Sequence, residues 1–182
     1  MITLYLKDEL NSSLSELGKF VVDFRSCGNT DMYSGIKEIL KANPLIKDEY
    51  LSNKIDLYRG LYVDIIGVIH SLANKRSELI ICEVKSNKLT LTDHAQLIGY
   101  CVASNVKLGL LIALGGRITG DFESILNNNP ALIKIVRKDF AHLFGICSWD
   151  PSSKELLFDD KGAFKSLTAL SRKIASNLEK VI

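Results

Sequence analysis

Residues 62–104 read YVDIIGVIHSLANKRSELIICEVKSNKLTLTDHAQLIGYCVAS, and this stretch decides the fold. It contains two apolar runs separated by a polar link, and a segment with helical spacing follows. The first run (LYVDIIGVIH) carries a single acid, Asp64, and the second (ELIICEVK) ends in Glu83 and Lys85. Charged groups at the ends of buried runs are costly unless they are paired or used, so the stretch predicts a site and not a plain core.

Both runs are predicted to be strands of a sheet. Their apolar residues are rich in β-branched side chains, which suit a buried strand. Side chains alternate between the two faces of a strand, so Glu83 and Lys85 point to one side and Val84 to the other. The polar link at residues 71–77 is short enough for a hairpin. Pairing of the two strands would bring Asp64 beside Glu83 and Lys85.

This trio predicts a metal-dependent hydrolytic site. Two carboxylates in a small space bind a hard divalent cation through oxygen, and the backbone carbonyl of Val84 is a further candidate ligand. Such a cation polarises a phosphoryl oxygen and lowers the pKa of a bound water. The ammonium group of Lys85 can orient that water or stabilise developing negative charge. These groups are what the hydrolysis of a phosphodiester requires.

Two polar residues follow on the next predicted helix, where Gln96 and Tyr100 share one side at a spacing of four. With Asp64 and the Glu-Val-Lys sequence that ends at Lys85, they resemble the PD-(D/E)XK nuclease superfamily. The Gln-x-x-x-Tyr element is most similar to the RecB-type exonuclease branch. The Pro of the superfamily's name is absent, because Val63 precedes Asp64.

The resemblance implies an α/β fold of the restriction-endonuclease-like type, a mixed central β-sheet flanked by helices. It also implies the cofactor, Mg²⁺ or Mn²⁺, and the roles of the site residues. The implied catalytic residues are Asp64, Glu83, Lys85, Gln96 and Tyr100. The implied metal ligands are Asp64, Glu83, the Val84 carbonyl and, on the helix before the first core strand, Glu38.

Each of these assignments has an alternative. A Glu-x-Lys pair on a strand can be a structural ion pair, and a Gln–Tyr pair can line a seam between helix and sheet. Glu38 can instead lie on a solvated helix face. Asp56 competes with Asp64 for the role of the metal-binding acid, although the neighbours of Asp64 are more apolar. His94 is predicted to be a polar residue of a loop or helix end, because Mg²⁺ prefers oxygen.

The expected substrate is DNA, although the net charge of +2 gives the chain no overall basic character. Any binding surface must then be local, and Lys88, Arg59 and Arg117 are the candidates for contacts with phosphates. The resulting prediction is a cytoplasmic Mg²⁺-dependent deoxyribonuclease with no membrane association, acting in DNA repair, recombination or processing. It would act alone, as a homodimer or with a separate ATP-driven partner. The alternatives are a dimeric Holliday-junction resolvase or site-specific endonuclease, and a catalytically inactive nucleic-acid-binding protein of the same fold.

The 182 residues are predicted to form a single nuclease-like domain with its core at about 31–115. Its four cysteines are far apart, which predicts reduced core thiols. The helix carrying Gln96 is predicted to be capped by Thr92 or Asp93 and to bury Ala95, Ile98 and Val102. The remaining predictions are strands at 2–6, 51–58, 107–114, 131–136, 142–149 and 154–158, helices at 31–43, 118–126 and 162–182, and either a helix or a terminal strand within 14–24.

Overall fold

The computed structural model describes residues 1–179 and has an α/β architecture. Its seven strands form one mixed sheet in the order β1-β2-β3-β4-β6-β5, with β7 also paired to β6, and six α-helices accompany them. The elements are α1 (Ile2–Ser15), β1 (Phe20–Ser26), α2 (Met32–Ala42), α3 (Glu49–Lys54), β2 (Ile65–Ser71), β3 (Arg76–Lys85), α4 (Leu91–Ser104), β4 (Leu108–Ala113), α5 (Gly120–Asn128), β5 (Lys134–Val136), β6 (Ala141–Asp150), β7 (Glu155–Phe158) and α6 (Leu167–Glu179).

Contacts between Cα atoms divide the chain into two compact units. Within the described residues, the first comprises 1–79 and 167–179, and the second comprises 80–166. In the first unit β1 and β2 are antiparallel, α2 packs on both strands, and α1 packs on β1 and α6. In the second unit β3, β4 and β6 are parallel, whereas β5 and β7 are antiparallel to β6.

The strands of the central stretch lie where the sequence predicts them. β3 ends at Lys85, and all six residues of β4 are buried, as expected of a strand with both faces covered. β2 is shorter than the predicted run. It begins at Ile65, so Asp64 immediately precedes the strand. The tight turn before β3 is closed by a hydrogen bond from Lys75 N to Ser71 O, and Lys75 has a positive φ of 52° there.

Two strand predictions are wrong, and a third, at residues 131–136, holds only for Lys134–Val136, because Pro130–Ile133 form a 3-10 helix. Residues 2–6 belong to α1, whose leucines Leu6, Leu10 and Leu14 recur every four residues and are fully buried. Five alternating residues are too few to separate a strand from one turn of a helix. Residues 51–58 form α3 and a 3-10 helix instead, because Asp48 caps α3 by accepting a hydrogen bond from Leu51 N at 2.9 Å.

The ends of the chain require smaller corrections. The stretch 14–24 ends in β1, so the strand alternative holds and a helix through residue 24 does not. The C-terminal helix begins at Leu167, because residues 162–166 form a loop. Its last predicted apolar position, Val181, lies outside the described residues. All four cysteines are buried and free, which confirms the predicted core thiols.

None of the helices within residues 1–179 combines the length and apolar character needed to cross a bilayer.

Candidate active site

The centre of the candidate site lies at the carboxyl end of β3. Glu83 is buried, with 2% of its side chain exposed, whereas Lys85 keeps 23% of its side chain exposed. Lys85 Nζ donates a hydrogen bond to Glu83 Oε2 at 3.0 Å. The predicted alternation therefore holds, with the acid and the lysine on the same face of the sheet. Val84 lies between them and is in register with Ile112 of β4.

Helix α4 begins with a capping box and not with the cap predicted from the sequence. Thr90 is the N-cap, its Oγ1 accepts a hydrogen bond from Asp93 N, and the Asp93 carboxylate accepts one from Thr90 N. Two of the otherwise unsatisfied N–H groups of the first turn are bonded in this way. The cap fixes where α4 starts and so where its later side chains point.

The buried face of α4 differs from the predicted one. The buried residues are His94, Leu97, Cys101 and Ser104, whereas Ala95 is exposed and Ile98 and Val102 are half-buried. Leu97 and Cys101 fit against Gly109 of β4, where a Cβ would lie 3.1 Å from Leu97 and 3.0 Å from Cys101 Sγ. Because Leu97 and Cys101 face the sheet, Gln96 and Tyr100 lie toward the solvent side of α4.

Gln96 and Tyr100 continue the hydrogen-bonded chain that starts at Glu83. Lys85 Nζ donates to Gln96 Oε1 at 3.0 Å, and Gln96 Nε2 donates to Tyr100 OH at 3.3 Å. The ammonium group of Lys85 is therefore held between a carboxylate of β3 and an amide of α4. Four of the five predicted catalytic residues are brought together within the second unit.

The Glu83 carboxylate also has an electrostatic effect on α4. The pKa of the Cys101 thiol is raised, first by burial and second by the negative charge of Glu83. A buried carboxylate next to an apolar helix face needs a cation close by, since water cannot stabilise its charge there. Lys85 provides one such cation, and a metal ion would provide another.

The two remaining predicted carboxylates lie in the first unit. Asp64 is half-buried directly before β2, and its backbone oxygen accepts a hydrogen bond from Cys27 N at 2.9 Å. Glu38 is exposed on α2. The pKa of Cys27 is raised to about 11, chiefly by burial and then by the charges of Asp31, Glu38 and Asp64. Both predicted acids therefore approach the same thiol.

The predicted phosphate contacts are divided between the units. In the first unit, Arg59 Nε donates to Asp56 Oδ1 at 2.9 Å and the guanidinium stacks on Tyr33 at 3.6 Å from the ring centre. Asp56, the competitor for the metal-binding acid, is 73% exposed in that ion pair. In the second unit, Lys88 and Arg117 are both exposed, on the loops that follow β3 and β4.

His94 lies in the first turn of α4, at the helix end where the sequence predicts it, and it is fully buried. Its ring packs against Phe122 and Phe144, each with ring centres 5.5 Å away. Its pKa is lowered by burial, so the ring is neutral and its Nε2 donates to Leu132 O at 3.0 Å. His94 is therefore a core histidine. The sequence signal for its burial is its helical spacing from Leu97 and Cys101, which are also buried.

A second charged cluster, which was not predicted from the sequence, is centred on Asp23 of β1. Asp23 is 1% exposed, and its carboxylate binds Lys7 at 2.9 Å, Asn43 at 2.9 Å and Arg25 at 3.2 Å. The signal was available, because Asp23 is a single acid in the apolar run FVVDF. Its three partners lie on α1, at the end of α2 and on β1, so the cluster joins these elements.

The predicted ligands have the chemistry of a hard-cation site. In the second unit, Glu83 and the Val84 carbonyl offer only oxygen, which suits Mg²⁺ or Mn²⁺ better than a soft metal, and Asp64, the third predicted ligand, lies in the first unit. Across the described part of the chain, no three or more His, Cys, Asp and Glu side chains group in a way that could hold a metal ion. The predicted site is a smaller set, two carboxylates and a backbone carbonyl completed by water.

Replacing Thr90 with alanine is expected to lower the free energy of unfolding by about 1 kcal/mol, because the capping bond to Asp93 N is lost. Chemical denaturation measures this loss. Thr92→Ala is the matched control, since Thr92 is exposed in the first turn and does not cap the helix. Equal losses in both variants would contradict the capping box.

Comparison of the chain with known family models, with curated proteins and with solved structures gives no match.

Proposed function

We propose that this protein is a metal-dependent DNA nuclease of the PD-(D/E)XK type that hydrolyses phosphodiester bonds. The observation that carries the proposal is the position of Lys85, whose ammonium group is bonded both to Glu83 and to Gln96 at 3.0 Å. Gln96 of α4 thus bonds the ammonium group itself, in addition to its pairing with the buried acid. A lysine whose charge acts on reacting groups must be held in position in this way.

In the proposed mechanism, Glu83, Asp64 and the carbonyl of Val84 would hold the metal ion. A bound Mg²⁺ would supply Lewis-acid polarisation of the phosphate and a lowered pKa of bound water. Lys85 orients the attacking water by hydrogen bonding and stabilises the negative charge that develops on the phosphate oxygens. The attacking water loses a proton to the solvent as its oxygen bonds to phosphorus, the bond to the leaving sugar oxygen breaks, and that oxygen takes up a proton from solvent water. No covalent intermediate with the protein is formed.

Gln96 and Tyr100 act as positioning and substrate-contacting residues in this proposal. Gln96 holds the Lys85 ammonium through its carbonyl oxygen, and its amide nitrogen is bonded to the Tyr100 hydroxyl. The Tyr100 hydroxyl keeps its own proton to donate, so it can contact a phosphate oxygen of the substrate.

The test is cleavage of labelled DNA, linear and circular, single- and double-stranded, in Mg²⁺, in Mn²⁺ and in EDTA. We expect cleavage with either metal and none in EDTA. Cutting of circles would indicate an endonuclease, and cutting of linear DNA alone would indicate an exonuclease. Binding of DNA without cleavage would replace the proposal by an inactive binding protein, and neither binding nor cleavage would contradict it altogether.

A further inference from the structure

The second unit contains a cavity of about 230 Å³ at the carboxyl end of its parallel strands. Its apolar lining includes Leu89, Ile118 and Phe158, and its polar lining is Arg117, Ser148, Asp159 and Asp160. Ligands of α/β proteins bind preferentially beyond the carboxyl ends of parallel strands. The cavity therefore lies where a small ligand is expected, and no predicted catalytic residue lines it.

Strand register gives the position of the cavity relative to Lys85. Lys85 is in register with Ala113 of β4, and Ala113 with Ser148 of β6. Register partners of parallel strands share a face, so Ser148 lies on the face that carries Lys85. Two steps between strands place their backbones about 10 Å apart. A stacked strand of DNA rises about 3.4 Å per nucleotide, so this distance spans about three nucleotides.

One wall of the cavity is fixed by backbone hydrogen bonds between the loops after β3 and β4. Leu89 N donates to Arg117 O at 3.0 Å, and Thr119 N donates to Leu89 O at 2.9 Å. Leu89 and Ile118 form an isolated parallel bridge at this point. The loop that carries Lys88 and follows Lys85 is thus tied to the loop that carries Arg117. Two exposed cations, Lys88 and Arg117, therefore lie on loops that are joined at the cavity, and the first of these loops follows Lys85.

The charged groups of the cavity retain hydrogen-bonding capacity for a ligand. No ion pair within 4.0 Å joins Arg117 to Asp159 or Asp160 in the part of the chain that the structure describes. Asp159 Oδ1 accepts a hydrogen bond from Lys161 N at 2.9 Å, which fixes that carboxylate. Asp160 is exposed and makes no hydrogen bond within residues 1–179. One charged donor group and two charged acceptor groups therefore border a small, partly apolar space.

Guanine matches this combination of groups better than the other bases. Its O6 and N7 accept from an arginine, as in the commonest specific contact between proteins and DNA. Its N1–H and N2–H₂ groups are neighbouring donors that can bind one carboxylate through both oxygens. Thymine has no exocyclic amino group. Apolar walls such as Leu89 and Phe158 can contact the faces of a planar base.

We propose that this cavity is a nucleobase subsite that binds guanine about three nucleotides from the scissile phosphate. The distance to the scissile phosphate rests on the proposed function, whereas the binding of guanine does not. Arg117 and Asp160 are the residues that read the base, and Lys88 contacts the intervening backbone phosphate.

The first experiment measures binding of guanosine monophosphate by NMR titration in EDTA, with inosine and thymidine monophosphates for comparison. We expect guanosine monophosphate to bind at least fivefold more tightly than inosine monophosphate, which lacks the N2 amino group. Asp160→Asn should remove this preference, and Arg117→Ala should weaken binding at least fivefold. Asp139→Asn is the matched control, because Asp139 is an exposed carboxylate of the same unit outside the cavity.

Lys85→Ala separates the subsite from the proposed function, since this variant should bind guanosine monophosphate as the wild type does. Selective binding by a protein that cleaves nothing would leave the subsite in place and contradict the nuclease. In an active protein, exchange of guanine for inosine should slow cleavage at one position within about four nucleotides of the cut. Equal binding of all three nucleotides, binding of none, or an unaffected Asp160→Asn variant would overturn the inference.

Discussion

Replacing Lys85 with alanine is expected to slow metal-dependent DNA cleavage by about 10² to 10⁴-fold. The variant loses the ammonium group that is bonded to Glu83 and Gln96, and with it the charge available to the attacking water and the phosphate. Because that charge acts in the transition state, the loss should fall on kcat, with little change in KM. Single-turnover cleavage of a labelled duplex at saturating protein measures it.

Two further variants control this experiment. Lys88→Ala removes an exposed cation three residues away and should weaken DNA binding and its salt dependence, while cleavage of bound DNA stays near the wild-type rate. Gln96→Ala keeps the lysine and removes only its support, so its cleavage should be intermediate between Lys85→Ala and the wild type. A folded Lys85→Ala protein, judged by its melting temperature, that cleaves at the wild-type rate would contradict the assigned role.

Replacing Asp23 with asparagine is expected to lower the free energy of unfolding by about 2 to 3 kcal/mol. The buried carboxylate accepts charge-assisted hydrogen bonds from Lys7 and Asn43, and it pairs with Arg25. A neutral amide loses the ionic part of these interactions, and its N–H group faces the donor groups of Lys7 or Asn43. For a chain of this size the melting temperature should fall by about 4 to 12 °C, which calorimetry measures.

The same variant should change the dependence of stability on pH. Burial raises the pKa of Asp23, but its bonds to Lys7 and Asn43 and the charges of Arg25 and Lys7 outweigh this, so the pKa lies below the ordinary value of 3.8. A lowered pKa in the folded protein contributes stability above 3.8, and this contribution is lost as the pH falls through the folded value. The difference between wild type and Asp23→Asn should therefore shrink as the pH falls below about 4.

Asp56→Asn is the matched control for Asp23→Asn. It breaks an ion pair of similar length, 2.9 Å to Arg59, but Asp56 is 73% exposed. Water screens such a pair, so the melting temperature should hardly change. If both variants had the same stability, burial of the Asp23 cluster would not have the assigned effect.

The sequence predicts the elements around Glu83 because their patterns are long. β3 and β4 are continuous buried runs, and alternation alone places Glu83 and Lys85 on the same face of β3, so their pairing is foreseeable. Which residues of α4 face the sheet is not foreseeable, since Thr90, Thr92 and Asp93 are all acceptable N-cap residues by type. The reciprocal bonding of Thr90 and Asp93 decides among them only once the backbone is placed.

The short elements escape prediction for a related reason. Residues 2–6 alternate like a strand, but Leu10 and Leu14 extend a helical stripe that a five-residue window does not include. The start of α3 at Asp48 is also difficult to predict, because the Asp48 carboxylate accepts hydrogen bonds from two backbone N–H groups, one of them distant in sequence. It caps α3 at Leu51 N and accepts from Ser77 N of β3 at 2.6 Å, a contact between residues 29 apart.

Asp23 and Glu83 show that an acid and a base two residues apart on one strand do not by themselves identify a catalytic site. Both are buried acids with a basic residue two positions later on the same strand face, Arg25 and Lys85. Spacing alone therefore gives two candidates. At Asp23, side chains from two other elements bind the carboxylate itself, which is typical of a structural cluster. At Glu83, the amide of Gln96 from α4 binds the lysine, which holds the ammonium group in position.

The most direct test of the proposed site is the single-turnover cleavage rate of one labelled duplex as a function of Mg²⁺ concentration, for wild type and Glu83→Gln. The substitution keeps the shape of a buried side chain and removes its charge. If the proposed site is right, the wild-type rate rises with Mg²⁺ to saturation and vanishes in EDTA, and the rate of Glu83→Gln is at least about 10²-fold lower. Cleavage that persists in EDTA, or a Glu83→Gln protein with the wild-type rate and metal dependence, would contradict it.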